Sequence, residues 1–231
     1  MNSILITGAS SGIGRATSEL FLKEGWRVGL LARRADKLEE IAAGQKNAVV
    51  LSADVTDADA VDAAFTAFGS IDVLFNNAGL FGTAAPIDEI PLDVWEEVLQ
   101  VNLHGMFLAA RLAFRAMRRS GGGRIINNGS ISAQTPRAGS VCYTTTKHAI
   151  TGLTKSLALD GRDFNIACGQ IDIGNAETEI LTAIKEAVPE TPTMDVRHAA
   201  QSVLQMASLP LDANVLFMTV MATQMPFVGR G

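Results

Sequence analysis

The sequence predicts an α/β protein built on a doubly wound parallel sheet of about seven strands, with helices on both faces. Short apolar runs alternate along the chain with longer segments of helical spacing, which is typical of βαβ units with right-handed crossovers. No proline- or serine-rich linker, low-complexity tract or fixed-period repeat divides the 231 residues. We therefore expect a single domain over residues 1–231.

The strands and helices follow from the spacing of apolar residues. The candidate strands are Ile4–Ile6, Arg27–Ala32, Ala48–Leu51, Ile71–Phe75, Arg124–Asn128, Phe164–Gln170 and Val215–Val220. The candidate helices are Gly14–Glu24, Asp36–Ala43, Ala58–Phe68, Leu92–Arg119, Val141–Leu159 and Asp195–Ser208. Asp57 offers an N-cap before the third helix, and Gly25 follows the first helix where a left-handed residue is needed. The polar segment 175–192 is interpreted either as a surface helix or as a substrate-binding loop.

The composition describes a folded, weakly acidic protein. Hydrophobic residues make up 48% of the chain and charged residues 19%, which excludes a disordered polypeptide. A net charge of −5 without any basic block argues against nucleic acid as a partner. The chain has no apolar stretch of about 18 residues and no secretory signal. We therefore expect a cytoplasmic protein that does not bind a membrane.

The metal-ligating residue types give no sign of a metal site. Cys142 and Cys168 form no CxxC pair, and His104, His148 and His198 are scattered over helical segments. We interpret both cysteines as packing residues and expect no disulfide and no metal.

The most specific local signal is the glycine-rich turn at 7–14, TGASSGIG, between the first strand and the first helix. Glycine lets the backbone approach a ligand closely, and the free amides at a helix start suit a pyrophosphate. The spacing is G-x-x-x-G-x-G, and it occurs in the strand–turn–helix context that a dinucleotide site requires. The turn therefore predicts a dinucleotide-binding protein.

That turn, the sequence NNAG at 76–79 and the pattern Tyr143-x-x-x-Lys147 occur in the order and spacing of one family. Together they resemble the short-chain dehydrogenase/reductase family in its classical form, from Ile4 to about Thr178 and more loosely beyond. The resemblance implies a Rossmann-like fold and a nicotinamide-dependent oxidoreductase. It also implies that Asp54 and Val55 contact the adenine, although Asp54 could instead cap the next helix.

The end of the second strand favours NADP(H) over NAD(H), because a 2′-phosphate needs a cation where an NAD site needs an acid. Ala32 stands where NAD-type members of the family carry Asp, and Arg33 and Arg34 follow it. Arg15 is a further candidate for the same patch. Ser11 stands where NADP-type members often have a basic residue, so NAD(H) remains possible. The predicted cofactor-binding residues are Gly8, Ser10, Ser11, Gly12, Ile13, Gly14, Arg33, Arg34, Asp54, Val55, Asn77, Ala78, Gly79, Tyr143, Lys147, Gly174 and Thr178.

Tyr143 is the only tyrosine of the chain, and Lys147 lies one helical turn beyond it. A phenol with a pKa of ~10 becomes a base near neutral pH only if about 4 kcal/mol favours the phenolate. One ammonium group ~5 Å away supplies roughly 3 kcal/mol at an effective dielectric of ~20. We therefore expect Lys147 to lower the pKa of Tyr143.

The resemblance adds two residues to Tyr143 and Lys147 in the catalytic set. It implies that Ser130 hydrogen-bonds the substrate oxygen, with Ser132 as the alternative two residues on. It further implies that Asn102 holds a water that links Lys147 to solvent; a capping role for a buried amide is the alternative.

These residues predict hydride transfer between NADPH and a ketone, aldehyde or 3-oxoacyl substrate, with Tyr143 as the acid or base. A catalytically silent NADP(H)-binding sensor or regulatory protein is the alternative, although such a relative would usually have lost Tyr143 or Lys147. Ile173-Gly174 replaces the family's Pro-Gly, which leaves the geometry of the following loop open. The resemblance also implies a homodimer or homotetramer. The sequence does not identify the substrate. Segments 79–90, 133–140 and 175–192 are expected to shape the pocket, and the residue spacing in these segments carries no code for a substrate.

Overall fold

The structure is a computed structural model that describes residues 2–178 and 190–228. Within that part of the chain the strands form one parallel sheet in the order β3-β2-β1-β4-β5-β6-β7. The strands are β1 (Ser3–Thr7), β2 (Arg27–Ala32), β3 (Ala48–Ser52), β4 (Val73–Asn76), β5 (Gly123–Asn128), β6 (Ile166–Gly174) and β7 (Phe217–Met221). The predicted doubly wound, Rossmann-like sheet is confirmed. The strand order reverses between β1 and β4, which is where such sheets bind ligands.

Helices cover both faces of the sheet. They are α1 (Gly12–Lys23), α2 (Ala35–Ala42), α3 (Ala58–Phe68), α4 (Leu92–Leu99), α5 (Met106–Ser120), α6 (Val141–Asp160) and α7 (Val196–Ala207). The predicted helix Leu92–Arg119 is interrupted, because Gln100–Gly105 forms a π-helical segment between α4 and α5. Single 3-10 turns lie at Ile87–Glu89, Ile131–Ala133 and Arg162–Phe164.

Alternate residues of the inner strands pack into two separate hydrophobic cores, one on each face of the sheet. Ile4 and Ile6 pack with α1, α2 and α7 on one face, whereas Leu5 packs with α3 and α5 on the other. All three side chains are fully buried, and burial of each contributes about 2 kcal/mol. Because both faces are covered, β1 reads as a continuous apolar run, the pattern expected of a parallel sheet.

The structure corrects the starts of three predicted strands, and one of these is β7, which begins at Phe217 and not at Val215. Phe164 lies in a 3-10 turn before β6, since Asn165 adopts a left-handed conformation with φ of 56° and separates the two elements. Ile71 precedes β4, and the neighbouring Asp72 carboxylate accepts a hydrogen bond of 2.7 Å from the Ser3 amide. An apolar residue at the edge of a run therefore does not mark the start of a strand.

The predicted roles of Asp57 and Gly25 at helix ends are confirmed. The Asp57 side chain accepts hydrogen bonds from the amides of Asp59 and Ala60, and Gly25 has a φ of 79° after α1. The predicted loop segment 175–192 falls mostly on residues 179–189, which lie outside the described residues. Of the helices at 2–178 and 190–228, none combines the length and apolarity that crossing a bilayer requires.

Candidate active site

A cavity of about 460 Å³ opens at the carboxyl ends of β1 to β6. Nearly all the predicted site residues line it: Gly8, Ser10, Ser11, Gly12, Ile13, Arg33, Arg34, Asp54, Val55, Asn77, Ala78, Gly79, Ser130, Tyr143, Lys147 and Thr178. Three predicted residues, Gly14, Asn102 and Gly174, are not part of its wall. The sheet therefore brings the glycine turn and the candidate catalytic residues to one space.

The glycine turn is held by close backbone packing. Gly8 and Gly12 have positive φ angles of 67° and 51°, and a Cβ on Gly8 would lie 2.9 Å from the Ala78 Cα. A Cβ on Gly14 would lie only 2.1 Å from the Gly8 carbonyl oxygen. Gly14 therefore permits the turn to pack on α1 and does not itself face the cavity, which corrects its predicted role.

The NNAG segment braces the glycine turn. The Asn77 Nδ2 donates to the Thr7 carbonyl at 2.9 Å, and the Asn77 amide donates to the Thr7 hydroxyl at 2.8 Å. The Asn77 Oδ1 in turn accepts a hydrogen bond of 2.8 Å from the Asn128 side chain. Asn77 thus connects the ends of β1, β4 and β5, so its side chain fixes the cavity wall.

Two features of the wall fit a dinucleotide. Ser11, the N-cap of α1, makes no side-chain capping hydrogen bond, so its side chain does not satisfy the first amides of that helix, and the first helical residues Gly12 and Ile13 line the cavity. Across the cavity, the buried Oδ1 of Asn128 has no hydrogen-bond partner among the described residues. An anion at the start of α1 would accept hydrogen bonds from the first amides of the helix. A ligand with a donor group beside Asn128 would satisfy the Asn128 Oδ1.

Arg33 and Arg34 form a cationic edge at the end of β2. The Arg34 guanidinium donates to the Ser10 hydroxyl at 3.2 Å, and the exposed Arg33 lies 3.7 Å from the Asp54 carboxylate. The predicted contribution of Arg15 is wrong, because its guanidinium pairs with Glu19 and Glu40 outside the cavity wall. The local cationic patch therefore consists of two adjacent arginines.

Asp54 is held at the cavity by its own turn. Burial raises the pKa of this carboxyl, but hydrogen bonds from the amide and hydroxyl of Thr56, together with Arg33, leave its pKa below the usual value. The N-cap of α3 is Asp57, so the alternative that Asp54 caps the helix is wrong. The adenine contact of Asp54 and Val55 remains a prediction.

Tyr143 and Lys147 lie on one face of α6, as their spacing predicts. The Lys147 Nζ is 5.3 Å from the centre of the Tyr143 ring, and it donates a hydrogen bond of 2.7 Å to the Asn128 carbonyl. Lys147 is only 3% exposed. The Phe81 ring covers the phenol at a centroid distance of 5.1 Å. The pair is therefore held between the Phe81 ring and the Asn128 carbonyl in the cavity.

Burial controls the ionisation of this pair. It raises the pKa of Tyr143 above the usual value, and the negative charge of Asp172 acts in the same direction; a hydrogen bond with Ser130 and the charge of Arg137 oppose it. Burial also lowers the pKa of Lys147 to about 8. The expectation of a lowered phenol pKa is therefore wrong for the chain alone, because the loss of hydration outweighs the nearby charges.

Ser130 is better positioned than Ser132 to act with Tyr143. Both hydroxyls line the cavity, but the interaction with the phenol comes from Ser130. The Ser130 Oγ also accepts a hydrogen bond of 3.1 Å from the Ser132 amide, which fixes its rotamer at the start of the 3-10 turn. This geometry supports the original preference for Ser130.

Asn102 fastens a loop to α6. Its Oδ1 accepts from the Leu80 amide at 2.8 Å, and its Nδ2 donates to the Leu80 carbonyl and to the Thr146 hydroxyl. These hydrogen bonds occupy the buried amide, which lies behind the cavity wall. The predicted water-holding role stays a prediction; the alternative of a helix cap does not describe the residue, which lies inside the π-helical segment.

Gly174 also lies behind the wall, which corrects its predicted contact. A Cβ there would come within 2.8 Å of the Met221 Cβ, so the residue packs against β7. The wall instead includes Ile173 before it and Asn175 after it, and Asn175 has a left-handed φ of 51°. Thr178 is adjacent to Gly12, because a Cβ built on Gly12 would lie 3.2 Å from the Thr178 methyl group.

Sequence reasoning missed several wall residues. They are Ala53, Leu80, Phe81, Val101, Asn128, Arg137, Ile173, Asn175 and Ala176. Phe81, Arg137 and Asn175 lie in the segments that were expected to shape the pocket, but no spacing rule identifies individual residues there. Asn128 had a usable signal, because it ends β5 two residues before Ser130.

The family is identified by a model described as short chain dehydrogenase, which matches residues 2–189. The chain belongs to that family. A curated relative, 3beta-hydroxysteroid dehydrogenase 2 from Eggerthella lenta, is 37% identical over 79% of this chain and 74% of its own length.

Solved structures have the same fold. Serine dehydrogenase, in a closed form complexed with NADP+, matches with a TM-score of 0.90 and 24% identity over 94% of each chain. A 3-ketoacyl-(acyl-carrier-protein) reductase from Brucella melitensis, complexed with NADH, matches with a TM-score of 0.87 and 25% identity over 96% of this chain and 97% of its own. Within the described ranges, no three His, Cys, Asp or Glu side chains are grouped as a metal site.

Proposed function

We propose that this short chain dehydrogenase is an NADP(H)-dependent oxidoreductase that interconverts a carbonyl compound and the corresponding alcohol. The substrate is a small ketone, aldehyde or 3-oxoacyl compound. The observation that carries this proposal is one cavity with the braced glycine turn and two arginines at one end and Ser130, Tyr143 and Lys147 at the other. The nucleotide-binding elements and the proton-transfer groups thus line one and the same cavity.

The cofactor is held by the glycine turn and the ends of β2, β3 and β5. The amides at the start of α1 receive the pyrophosphate, and Arg33 and Arg34 receive the 2′-phosphate. Asn128 and Lys147 line the cavity beside Tyr143 and would hold the nicotinamide end of the cofactor. When bound, the nicotinamide supplies the hydride for reduction or takes it up in oxidation.

The side chains move the proton and stabilise charge on the substrate oxygen. The raised pKa of Tyr143 keeps the phenol protonated at neutral pH, so it is ready to donate to a carbonyl oxygen. The Ser130 hydroxyl donates a second hydrogen bond to the same oxygen as negative charge develops. The Lys147 ammonium, fixed by the Asn128 carbonyl, stabilises the phenolate that remains.

The cofactor preference is tested by the ratio of kcat/KM for NADPH and NADH. In Arg33→Ala and Arg34→Ala we expect this ratio to fall about tenfold or more, because a bidentate phosphate contact is lost. Arg15→Ala is the matched control, since its side chain pairs with Glu19 and Glu40. A wild-type preference for NADH would contradict the assignment of NADP(H).

The reaction is tested by NADPH oxidation across ketones, aldehydes and acyl thioesters. We expect turnover of at least one of these classes, with kcat lower by about 10³-fold in Tyr143→Phe. Binding of NADPH without turnover of any class would contradict the proposed activity and would favour a nucleotide sensor.

We also propose that the chain forms a homodimer or homotetramer. Leu92 is 78% exposed, Phe107 47% and Leu159 59%, so α4, α5 and α6 each present a large apolar side chain that a second copy could cover. Sedimentation at micromolar concentration tests this proposal. A monomer would contradict it, and Leu92→Glu should weaken an assembly that uses this surface.

A further inference from the structure

A buried carboxylate lies directly behind Ser130. Asp172, on β6, is 1% exposed. Its oxygens accept hydrogen bonds from the Ser130 amide at 3.0 Å, the Gln170 Nε2 at 2.7 Å and the Gln134 Nε2 at 2.7 Å. All three donors are neutral, and Asp172 forms no ion pair with another described residue. A buried charge without a counter-ion is costly, so its presence calls for a functional reason.

The carboxylate fixes both ends of the turn that carries Ser130. The Ser130 amide binds one oxygen, and Gln134, just past the 3-10 turn Ile131–Ala133, binds the other. The backbone leaves room for this arrangement at Gly129, where a Cβ would lie 2.1 Å from the Asp172 Oδ1. Movement of Asp172 would therefore displace the Ser130 hydroxyl.

The same carboxylate acts electrostatically on the proton-transfer pair. Its negative charge raises the pKa of Tyr143 and opposes the lowering of the Lys147 pKa by burial. The other charged groups facing the phenol are Arg137, which acts in the opposite direction, and Lys147, whose Nζ is 5.3 Å from the ring centre. Asp172 does not line the cavity, so its effect does not need contact with substrate.

We propose that Asp172 is a positioning residue of this active site: it anchors Ser130 through the backbone amide and supplies fixed negative charge beside Tyr143 and Lys147. This inference rests on the proposed function. Asp172 keeps the phenol in its protonated, donating form and favours the ammonium form of Lys147, so the site is set for carbonyl reduction.

The single tyrosine permits a test that does not depend on turnover. The ultraviolet absorbance of the phenolate, followed against pH, reports the pKa of Tyr143 alone. In Asp172→Asn we expect the midpoint to move to lower pH, because the repelling charge is gone. In Arg137→Gln it should move to higher pH. Circular dichroism across the same pH range checks that each variant stays folded. An unchanged midpoint in a folded Asp172→Asn would overturn the proposal.

The kinetic test separates charge from positioning. For Asp172→Asn we expect kcat for reduction to fall about tenfold and the alkaline limb of its pH profile to move to lower pH. The NADPH dissociation constant should not change. Gln134→Ala removes a neutral hydrogen bond to Asp172. It should lower kcat but leave the alkaline limb of the pH profile at the same pH. If Asp172→Asn does not fold, an unchanged kcat in Gln134→Ala overturns the proposal. If the wild type reduces no carbonyl, the proposed function fails and the phenolate titration still decides the role of Asp172.

Discussion

At the nucleotide end of the cavity the chain contributes mostly backbone, with Gly8 and Gly12 in left-handed conformations and the amides at the start of α1 facing the ligand space. At the other end it contributes ionisable side chains, with Tyr143 and Lys147 in a recess behind which Asp172 is buried. The first end depends on close packing of atoms, and the second on charges removed from water. Substitutions at the first end should therefore lower stability and cofactor binding, whereas substitutions at the second end should lower kcat.

Tyr143→Phe should give the largest effect. The variant keeps the packing against Phe81 but has no proton to donate, so we expect kcat to fall about 10³-fold. Binding of NADPH should stay close to that of the wild type, because the glycine turn is untouched. Steady-state kinetics and a fluorescence titration with NADPH measure the two quantities. If kcat and NADPH binding fell by the same factor, the nucleotide end and the catalytic end of the cavity would not act separately.

Gly14→Ala tests the end that depends on packing. The added Cβ would lie 2.1 Å from the Gly8 carbonyl oxygen, so the turn must move away from α1. We expect the free energy of unfolding to fall by about 3 kcal/mol and NADPH binding to be lost.

Gly152→Ala on α6 is the matched control for that variant, because a Cβ there meets no atom within 4 Å. It should raise the free energy of unfolding by about 0.5–1 kcal/mol, since alanine favours a helix. Chemical denaturation measures both variants. A Gly14→Ala protein that unfolds like the wild type would refute the packing argument.

Ser130→Ala tests the end that depends on electrostatics without removing an ionisable group. Loss of one hydrogen bond to the developing charge should lower kcat about 10²-fold. Ser132→Ala, at the neighbouring position on the same wall, should leave kcat nearly unchanged. A larger loss of kcat in Ser132→Ala would reverse the assignment of the two serines.

The same contrast explains what the sequence could predict. The glycine turn and Asn77 act through local spacing, and the sheet brings them where the motifs indicate. Gly14 and Gly174 lie in the predicted region but pack behind the cavity wall, whereas the water-holding role of Asn102 stays a prediction. The sequence does not separate residues that line a wall from residues that pack behind it, because both positions need the same residue types. The direction of the Tyr143 pKa was not predictable, since it depends on how much water the fold removes.

Asp172 had no local signal at all. Its partners Gln134 and Ser130 are 38 and 42 residues away along the chain. Only the pairing of β5 with β6 brings these residues together. Buried networks that join distant segments are therefore the part of this site that spacing cannot predict.

Lys147→Met has a smaller expected effect on stability than Gly14→Ala and acts in the opposite direction, and that direction is the informative point. Burial lowers the pKa of Lys147 to about 8 in the folded chain, whereas the pKa of an unfolded lysine is ~10.4. At pH 7 both states are protonated, so the folded protein carries the full cost of a buried charge. Methionine removes that cost but leaves the Asn128 carbonyl without its donor. We therefore expect Lys147→Met to raise the free energy of unfolding at pH 7 by about 2 kcal/mol while kcat falls.

The advantage of Lys147→Met should shrink as the pH rises. Between pH 8 and ~10.4 the unfolded wild type binds more protons than the folded one, so wild-type stability increases with pH while that term is absent in the variant. Chemical denaturation at pH 7 and at pH ~10 measures the difference. Lys155→Met, at an exposed position on the same helix, should change stability by less than about 0.5 kcal/mol at either pH. A Lys147→Met protein less stable than the wild type at pH 7 would mean that the hydrogen bond to Asn128 outweighs the burial of the charge.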